Sequence, residues 1–466
     1  MLVSKNQMAI PKFSWKDKIG YMFGDVGNCF LLGLMNAFLM IYYTNILGLS
    51  AGLVGSLFFV STMVDAFADI LVGRIADITN VKKDGRFRPW IRVMKWPTCL
   101  TFLLLFLPVA KQFSDTLKII YVIVTYIIFG LVFACINIPY GSLSSTMSAD
   151  SQDKASLSVY RSVGSAVGAG GTGFALPLIV YTENAAGHKI LSEQRLFWCA
   201  LACAILALIA YNILYYFTYE RIVSNPRQKI KLNDSLRAMA KDRSSLSLIV
   251  ADIIVTTCTS LSGITTTYLF NDYFNNNHTL SIALLFTYGT TIVLAPFAKW
   301  ITVKLGKKEM CASSLFIASI LYLILYFLHI HNPWIYLMLL FIATLGTAIF
   351  SLMIWAFIND VNDNHQVMTG IREDGTIYGI NFFGRKIAQA VANGIGGALL
   401  SLIGYRSSTV GGRIQTTDVM NHIYLLANLI PAFLLFLAAI VLAFWYPLNK
   451  GRVLDVTKHL KRLKSN

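Results

Sequence analysis

Val64-Asp65-Ala66-Phe67-Ala68-Asp69 interrupts an apolar run, residues 53–75, that is otherwise long enough to cross a bilayer as a helix. Two carboxylates four residues apart share one face of such a helix, with Cβ atoms about 5–6 Å apart. Burying one acid in hydrocarbon is costly, and a second on the same face adds repulsion. A chain that keeps the pair has something positive to neutralise it. Either a cation or proton arrives there, which would make Asp65 and Asp69 a coupling-ion site, or a fixed Arg or Lys locks helices together through them.

The composition around this stretch is that of a polytopic membrane protein. Of 466 residues, 56% are hydrophobic and only 13% charged, against about 25% charged in soluble domains. Runs long enough to span lie near 20–46, 52–76, 93–110, 117–147, 157–181 and 196–219. After a polar segment, six more lie near 245–270, 280–303, 309–329, 334–359, 376–403 and 421–446. The expected fold class is therefore all-α, with twelve transmembrane helices in two six-helix bundles. The expected organisation is an N-terminal bundle (1–219), a central loop (220–244), a C-terminal bundle (245–449) and a basic tail (450–466), the tail helical.

The net charge of +16 sits in connections between apolar runs, so it reads as a topology signal and not as a nucleic-acid surface. Basic connections alternate with connections poor in Lys and Arg, which places both termini and the central loop on the cytoplasmic side of the cell membrane. The chain opens with a polar, basic stretch and no cleavable signal segment. Seven cysteines lie in or beside apolar runs without metal-ligand spacing and read as small apolar residues. No Walker loop, dinucleotide fingerprint or paired histidine motif is present. The chain is expected not to be an enzyme and to need no cofactor beyond a coupling ion, H⁺ or Na⁺.

Further polar residues fall inside the runs. Asp25, Asn28 and Cys29 lie in the first, Asp25 and Cys29 on one face; Asp25 suits either ligand binding or an ordinary helix-start acid. In the fourth run, Phe133, Asn137 and Tyr140 lie on one side beside Pro139. An aromatic ring and an amide suit a sugar, the ring against its C–H face and the amide on its hydroxyls; helix packing around a proline bend is the alternative. Arg161 opens a fifth run rich in Gly and Ala, whose small residues allow close helix approach. It suits a partner for a buried acid, a donor to substrate, or a snorkelling side chain. In the eleventh run Asn381, Arg385, Gln389 and Asn393 repeat every four residues as a polar stripe, with Arg372 before it and Lys386 beside it. Lys386 or Arg385 could close a charge link to Asp65 or Asp69, or merely balance neighbouring acids. A short internal repeat links Gly73-Arg74-Ile75-Ala76-Asp77 with the basic stretch 300–308 of the second half.

The succession Tyr42-Tyr43-Thr44-Asn45, Gly48-Leu49-Ser50, Leu53-Val54-Gly55, Asp65 and Asp69, Arg86 to Trp90, Asn137-Ile138-Pro139-Tyr140, and Gly370-Ile371-Arg372 to Lys386 resembles the glycoside–pentoside–hexuronide:cation symporters of the major facilitator superfamily. The resemblance covers most of the chain. It implies a sugar as small-molecule partner, the lipid bilayer as surroundings, and symport with Na⁺, Li⁺ or H⁺, with the protein working as a monomer. It assigns Asp65 and Asp69 to the cation site. It matches Arg161 and Lys386 to functional residues and Phe133 to a sugar-contacting position; together with the residue reading above, the expected substrate-binding set is Asp25, Phe133, Asn137, Tyr140, Arg161, Asn381 and Lys386, with Arg372 and Arg385 coupling the bundles. A galactoside-transporting member has acids where this chain has Cys29 and Asn137, and a tryptophan near Gly141. These departures point away from galactosides, and with fewer oxygen anions they leave H⁺ as apt as Na⁺. A lipid or lysolipid carrier of the same fold, or a non-transporting membrane sensor, are the other readings.

Overall fold

A computed structural model describes residues 11–49, 51–81, 84–183, 189–222, 232–274, 276, 279, 282–283, 285–286, 289–297, 306–405 and 416–465. Among the described residues the regular elements are helices apart from one short ribbon. Its elements are α1 (Trp15–Ile41), α2 (Ala51–Ile78), α3 (Arg88–Leu104), α4 (Asp115–Met147), α5 (Ser151–Val180), β1 (Tyr181–Glu183), β2 (Lys189–Leu191), α6 (Glu193–Phe217), α7 (Leu232–Lys241), α8 (Arg243–Tyr268), α9 (Lys307–Leu328), α10 (Pro333–Thr369), α11 (Asp374–Leu402), α12 (Thr417–Ile440) and α13 (Lys450–Ser465). Single π-helical turns extend α1, α8 and α12.

Among the described residues, nine helices are long and apolar enough to cross a membrane. The expected spans near 157–181 and 376–403 correspond to α5 and α11. They have 30 and 29 residues, ample to span, and α11 carries the polar stripe. The expected span 280–303 lies partly outside the described residues, as do residues 300–305 of the internal repeat. Within the expected central loop a helix, α7, forms and packs on α8. The antiparallel β1–β2 ribbon, pairing Tyr181 with Leu191, had no signal in the apolar pattern.

The chain divides into two compact units, Met1–Ile230 with Ile371–Ile380, and Lys231–Gly370 with Asn381–Asn466. In the first, α1 packs on α5 and α6, and α4 packs on α2 and α3. Glycines set the close approaches. A Cβ at Gly24 would fall within the Tyr140 ring, and one at Gly168 would crowd Cys29 Cβ. Gly73 and Gly375 face each other, each barred from a side chain by the other's carbonyl. The glycine density of α5 is only partly used, since Gly170, Gly171 and Gly173 meet open space.

Outside the spans, Glu220 organises a turn. Its carboxylate accepts from the backbone N–H of Arg86, Phe87 and Arg88 at 2.7–2.9 Å, satisfying otherwise orphaned donors at the start of α3. Burial raises its pKa, while the three donors pull the other way. Arg221 forks onto both oxygens of Asp17 at 2.9 and 3.0 Å.

In the second unit α9 packs on α10 and α12, and α8 on α12. Ser319 donates to the Ala432 carbonyl at 2.7 Å. Tyr336 donates to Asn428 Oδ1 at 2.9 Å. Lys307 pairs with Asp360 at 2.5 Å.

The glycine contacts give a paired expectation. Gly24→Ala should lower stability by about 1–3 kcal/mol through overpacking against Tyr140. Gly170→Ala, entering open space in a helix, should leave it unchanged or raise it by up to about 1 kcal/mol. Thermal unfolding in detergent reads both, and equal stability of the two variants contradicts the packing described.

Candidate functional site

Asp65 and Asp69 lie on α2, Asp65 half-buried and Asp69 2% exposed. The face carrying Asp65 meets α4. A Cβ at Gly130 would overlap the Asp65 carboxylate, so the acid sits where α4 offers only a glycine. One turn along α4, Phe133 is half-buried and stacks on Phe129, ring centroids 5.6 Å apart. Further along α2, the Asp69 backbone carbonyl meets Gly379.

A second polar cluster in the same unit is built on α1, α4 and α5. Asp25 and Cys29 share the face of α1 toward α5. Arg161 Nε lies 3.4 Å from Asp25 Oδ1, and the Cys29 thiol donates to the Ser165 carbonyl at 3.5 Å. Arg161, only 2% exposed, also donates through Nη1 to the Tyr21 hydroxyl at 3.4 Å. Its guanidinium stands over the Tyr140 ring at 4.7 Å and the Tyr378 ring at 5.3 Å. Desolvated cation–π contacts of this kind contribute about 2 kcal/mol. Of the readings open for Arg161, the structure shows the partner of a buried acid; the snorkelling one does not hold.

Tyr140 is buried, its hydroxyl donating to the Tyr21 carbonyl at 2.8 Å. The amide of the predicted group is engaged too. Tyr211 donates to Asn28 Oδ1 at 2.8 Å, and Asn28 Nδ2 donates to Asn137 Oδ1 at 3.1 Å. Gly141 acquires its meaning here: a Cβ at this position would fall within the Tyr378 ring. The room that a large side chain would take at 141 is filled by Tyr378.

The segment Ile371–Ile380 belongs to this first unit and is fastened to it by charge. Asp77 accepts from Gly375 N at 2.8 Å and from Thr376 N and Oγ1 at 2.7 and 2.8 Å. This caps the first turn of α11 with a carboxylate from another helix, satisfying orphan donors and meeting the positive end of the dipole. Arg74 pairs with Glu373 at 2.6 Å. Arg372 donates to Asp374 Oδ2 at 2.7 Å and to the Ser145 carbonyl at 2.9 Å. The stretch Gly73–Asp77, read in the sequence only as part of a repeat, is thus a helix-fastening motif.

The polar stripe on α11 belongs to the second unit. Arg385 donates to Asp252 Oδ1 of α8 at 3.1 Å and lies over the Trp355 ring at 5.3 Å. Arg385 thus has an acid partner within its own unit. Asp252 sits mid-helix in an apolar run and carried the same signal as Asp65. Asn381 is buried, Lys386 half-buried and Gln389 exposed; the Asn393 side chain lies outside the described residues. Tyr21 and Tyr211, which orient Arg161 and Asn28, carried no signal that sets them apart from packing tyrosines.

Long apolar helices with buried acids, amides and an arginine define a multi-pass membrane transporter. A sequence model of the family described as MFS/sugar transport protein matches residues 20–450, and the chain belongs to this family of major-facilitator sugar transporters, of the glycoside–pentoside–hexuronide symporter type. It is a transporter and not an enzyme. It is 26% identical over 456 residues to a glucuronide carrier protein homolog of Escherichia coli (strain K12), covering 97% of each chain. It is 25% identical over 435 residues to an isoprimeverose transporter of Lactiplantibacillus pentosus, covering 92% of this chain and 88% of that one. Its fold is similar to the crystal structure of FucP, a major facilitator superfamily transporter in the outward conformation. The TM-score is 0.62 at 16% identity, over 93% of this chain and 98% of that one.

The Asp25–Arg161 pair yields a test of coupling. Arg161→Ala leaves a buried carboxylate without its cation and should cost about 3–5 kcal/mol. Asp25→Asn should cost less, because the guanidinium keeps its three tyrosines. Unfolding of both variants and of the double variant closes a cycle, and strictly additive losses would show that the two charges are uncoupled.

Proposed function

We propose that the protein is a sugar:cation symporter of the cell membrane, driven by a H⁺ or Na⁺ gradient through alternating access. It works as a monomer with both termini cytoplasmic. The observation that carries this reading is the intramembrane acid pair on α2, with Asp65 set against Gly130, in the same compact unit as the Asp25–Arg161 cluster. With both acids ionised and no cation bound, repulsion and desolvation disfavour the sugar-competent packing. A proton or Na⁺ relieves both, so sugar binds better, and by linkage sugar raises cation affinity by the same factor. Phe133 offers an aromatic face to the C–H face of a sugar, while Arg161, Asp25 and Asn137 supply hydrogen bonds to its hydroxyls. Tyr140 serves indirectly, holding Tyr21 and the guanidinium in place.

Uptake of labelled pentosides, hexosides and hexuronides into membrane vesicles, under an imposed Na⁺ gradient, an imposed pH gradient or neither, tests the reading. One sugar should accumulate under one gradient. Asp65→Cys should abolish that accumulation while sparing exchange at equal concentrations, since an uncoupled carrier still equilibrates its substrate. Equal loss of both activities, or of neither, defeats the coupling role of Asp65. Failure of any sugar to accumulate would favour a lipid or lysolipid carrier.

A further inference from the structure

The second unit holds a cavity of about 220 Å³ among α8, α9, α10 and the helical turns near 283–291. At ~30 Å³ per water this is room for roughly seven waters, or for one monosaccharide ring in their place. Thr259, Ser262, Thr290, Thr291, Thr344 and Thr347 supply its polar wall. The described lining residues include no charged side chain. The cavity shares no residue with the Asp25–Arg161 cluster or the acid pair.

The hydroxyls are oriented by their own helices. Thr259 donates to the Thr256 carbonyl at 3.0 Å, Thr290 to Phe286 at 2.6 Å, Thr344 to Phe341 at 2.8 Å and Thr347 to Thr344 at 2.9 Å. A hydroxyl has one hydrogen and two lone pairs. With these four hydrogens held by backbone carbonyls, that part of the wall presents lone pairs to whatever enters, so the matching ligand is one that donates. Leu340, Ala348, Ala283 and the Tyr322 ring supply an apolar wall. A neutral polyhydroxylated ring has both faces, hydroxyl donors at its rim and C–H groups on its flat side. A carboxylate has no donor and meets only lone pairs. A bare cation would find no anion to balance it in low dielectric.

We propose that this cavity is a binding site for a neutral monosaccharide ring, held by hydroxyl-to-hydroxyl hydrogen bonds and selecting against an acidic sugar. The site rests on the sugar-transport reading only in that the protein meets sugars at the membrane. Gly263 gives the means to close it: it lines the cavity, and a Cβ there meets nothing within 4 Å. A larger side chain at this position therefore begins in open space beside the cavity.

The experiment uses the full chain in detergent, titrated with D-xylose, D-glucose, their methyl glycosides and D-glucuronate. The readout is a saturable rise in unfolding temperature, because binding to the folded state alone shifts stability by mass action. Sucrose and mannitol report the non-saturating stabilisation that excluded osmolytes produce. Wild type should show a saturable shift with at least one neutral monosaccharide and none with glucuronate. Gly263→Leu should weaken that binding at least tenfold, and Thr344→Val, nearly isosteric, by about three- to tenfold for one lost hydrogen bond. Both variants should unfold at the wild-type temperature without sugar. Where Gly263→Leu lowers that temperature, Thr344→Val alone decides.

A shift that survives both substitutions, a shift with glucuronate alone, or no saturable shift at all overturns the proposal. The transport reading fails separately. Vesicles that accumulate sugar equally well with and without these substitutions leave symport standing and remove the cavity site. A neutral-sugar shift abolished by Gly263→Leu in a protein that accumulates no sugar does the reverse.

Discussion

A carboxylate taken into hydrocarbon loses hydration that several kcal/mol of new interaction must replace. The arrangement of polar groups in this protein answers that constraint. Asp25 meets Arg161, which in turn lies against three tyrosines. Asp77 meets the start of a helix, whose orphan N–H groups serve as well. Asp252 meets Arg385, and Asp360 meets Lys307. Where such a group is answered by permanent partners it reads as structure.

The packing follows from the same economy of space. Three aromatic rings and a guanidinium fit in the first unit because Gly24 and Gly141 supply no side chain where Tyr140 and Tyr378 lie. Backbones close on each other at Gly73 and Gly375, bringing the Asp77 carboxylate within reach of the α11 terminus. A single methylene at either glycine would move that contact by more than a hydrogen bond tolerates.

Much of the fold was legible because length and apolarity are local. The spans answering to α1 to α4, α6, α8 to α10 and α12 stand out by hydropathy alone. That answering to α5 stands out as well, despite its glycines, while that answering to α11 does so only when a four-residue polar stripe is accepted as a feature of a buried helix. The ribbon β1–β2 and the helix α7 were not legible, being short and set in polar connections. Of the site, the acids and Arg161 were legible from their rarity inside apolar runs. The same rule pointed to Asp252, which went unread. Tyr21, Tyr211 and the threonine-lined cavity were not, since tyrosines and threonines are common in such helices and nothing local distinguishes those that face a partner.

The amino-acid sequence by itself determined the class: a polytopic helical chain with charges at known depths along particular helices. Hydrophobic transfer is additive over neighbouring residues, and helical periodicity fixes which of them share a face. Only the tertiary structure decided which charge answers which. Arg385 and Asp252 are 133 residues apart, and Asp77 reaches Gly375 across 298. Spacing along one helix limits a side chain to a face, and the group that it meets there is set by how other helices pack against that face.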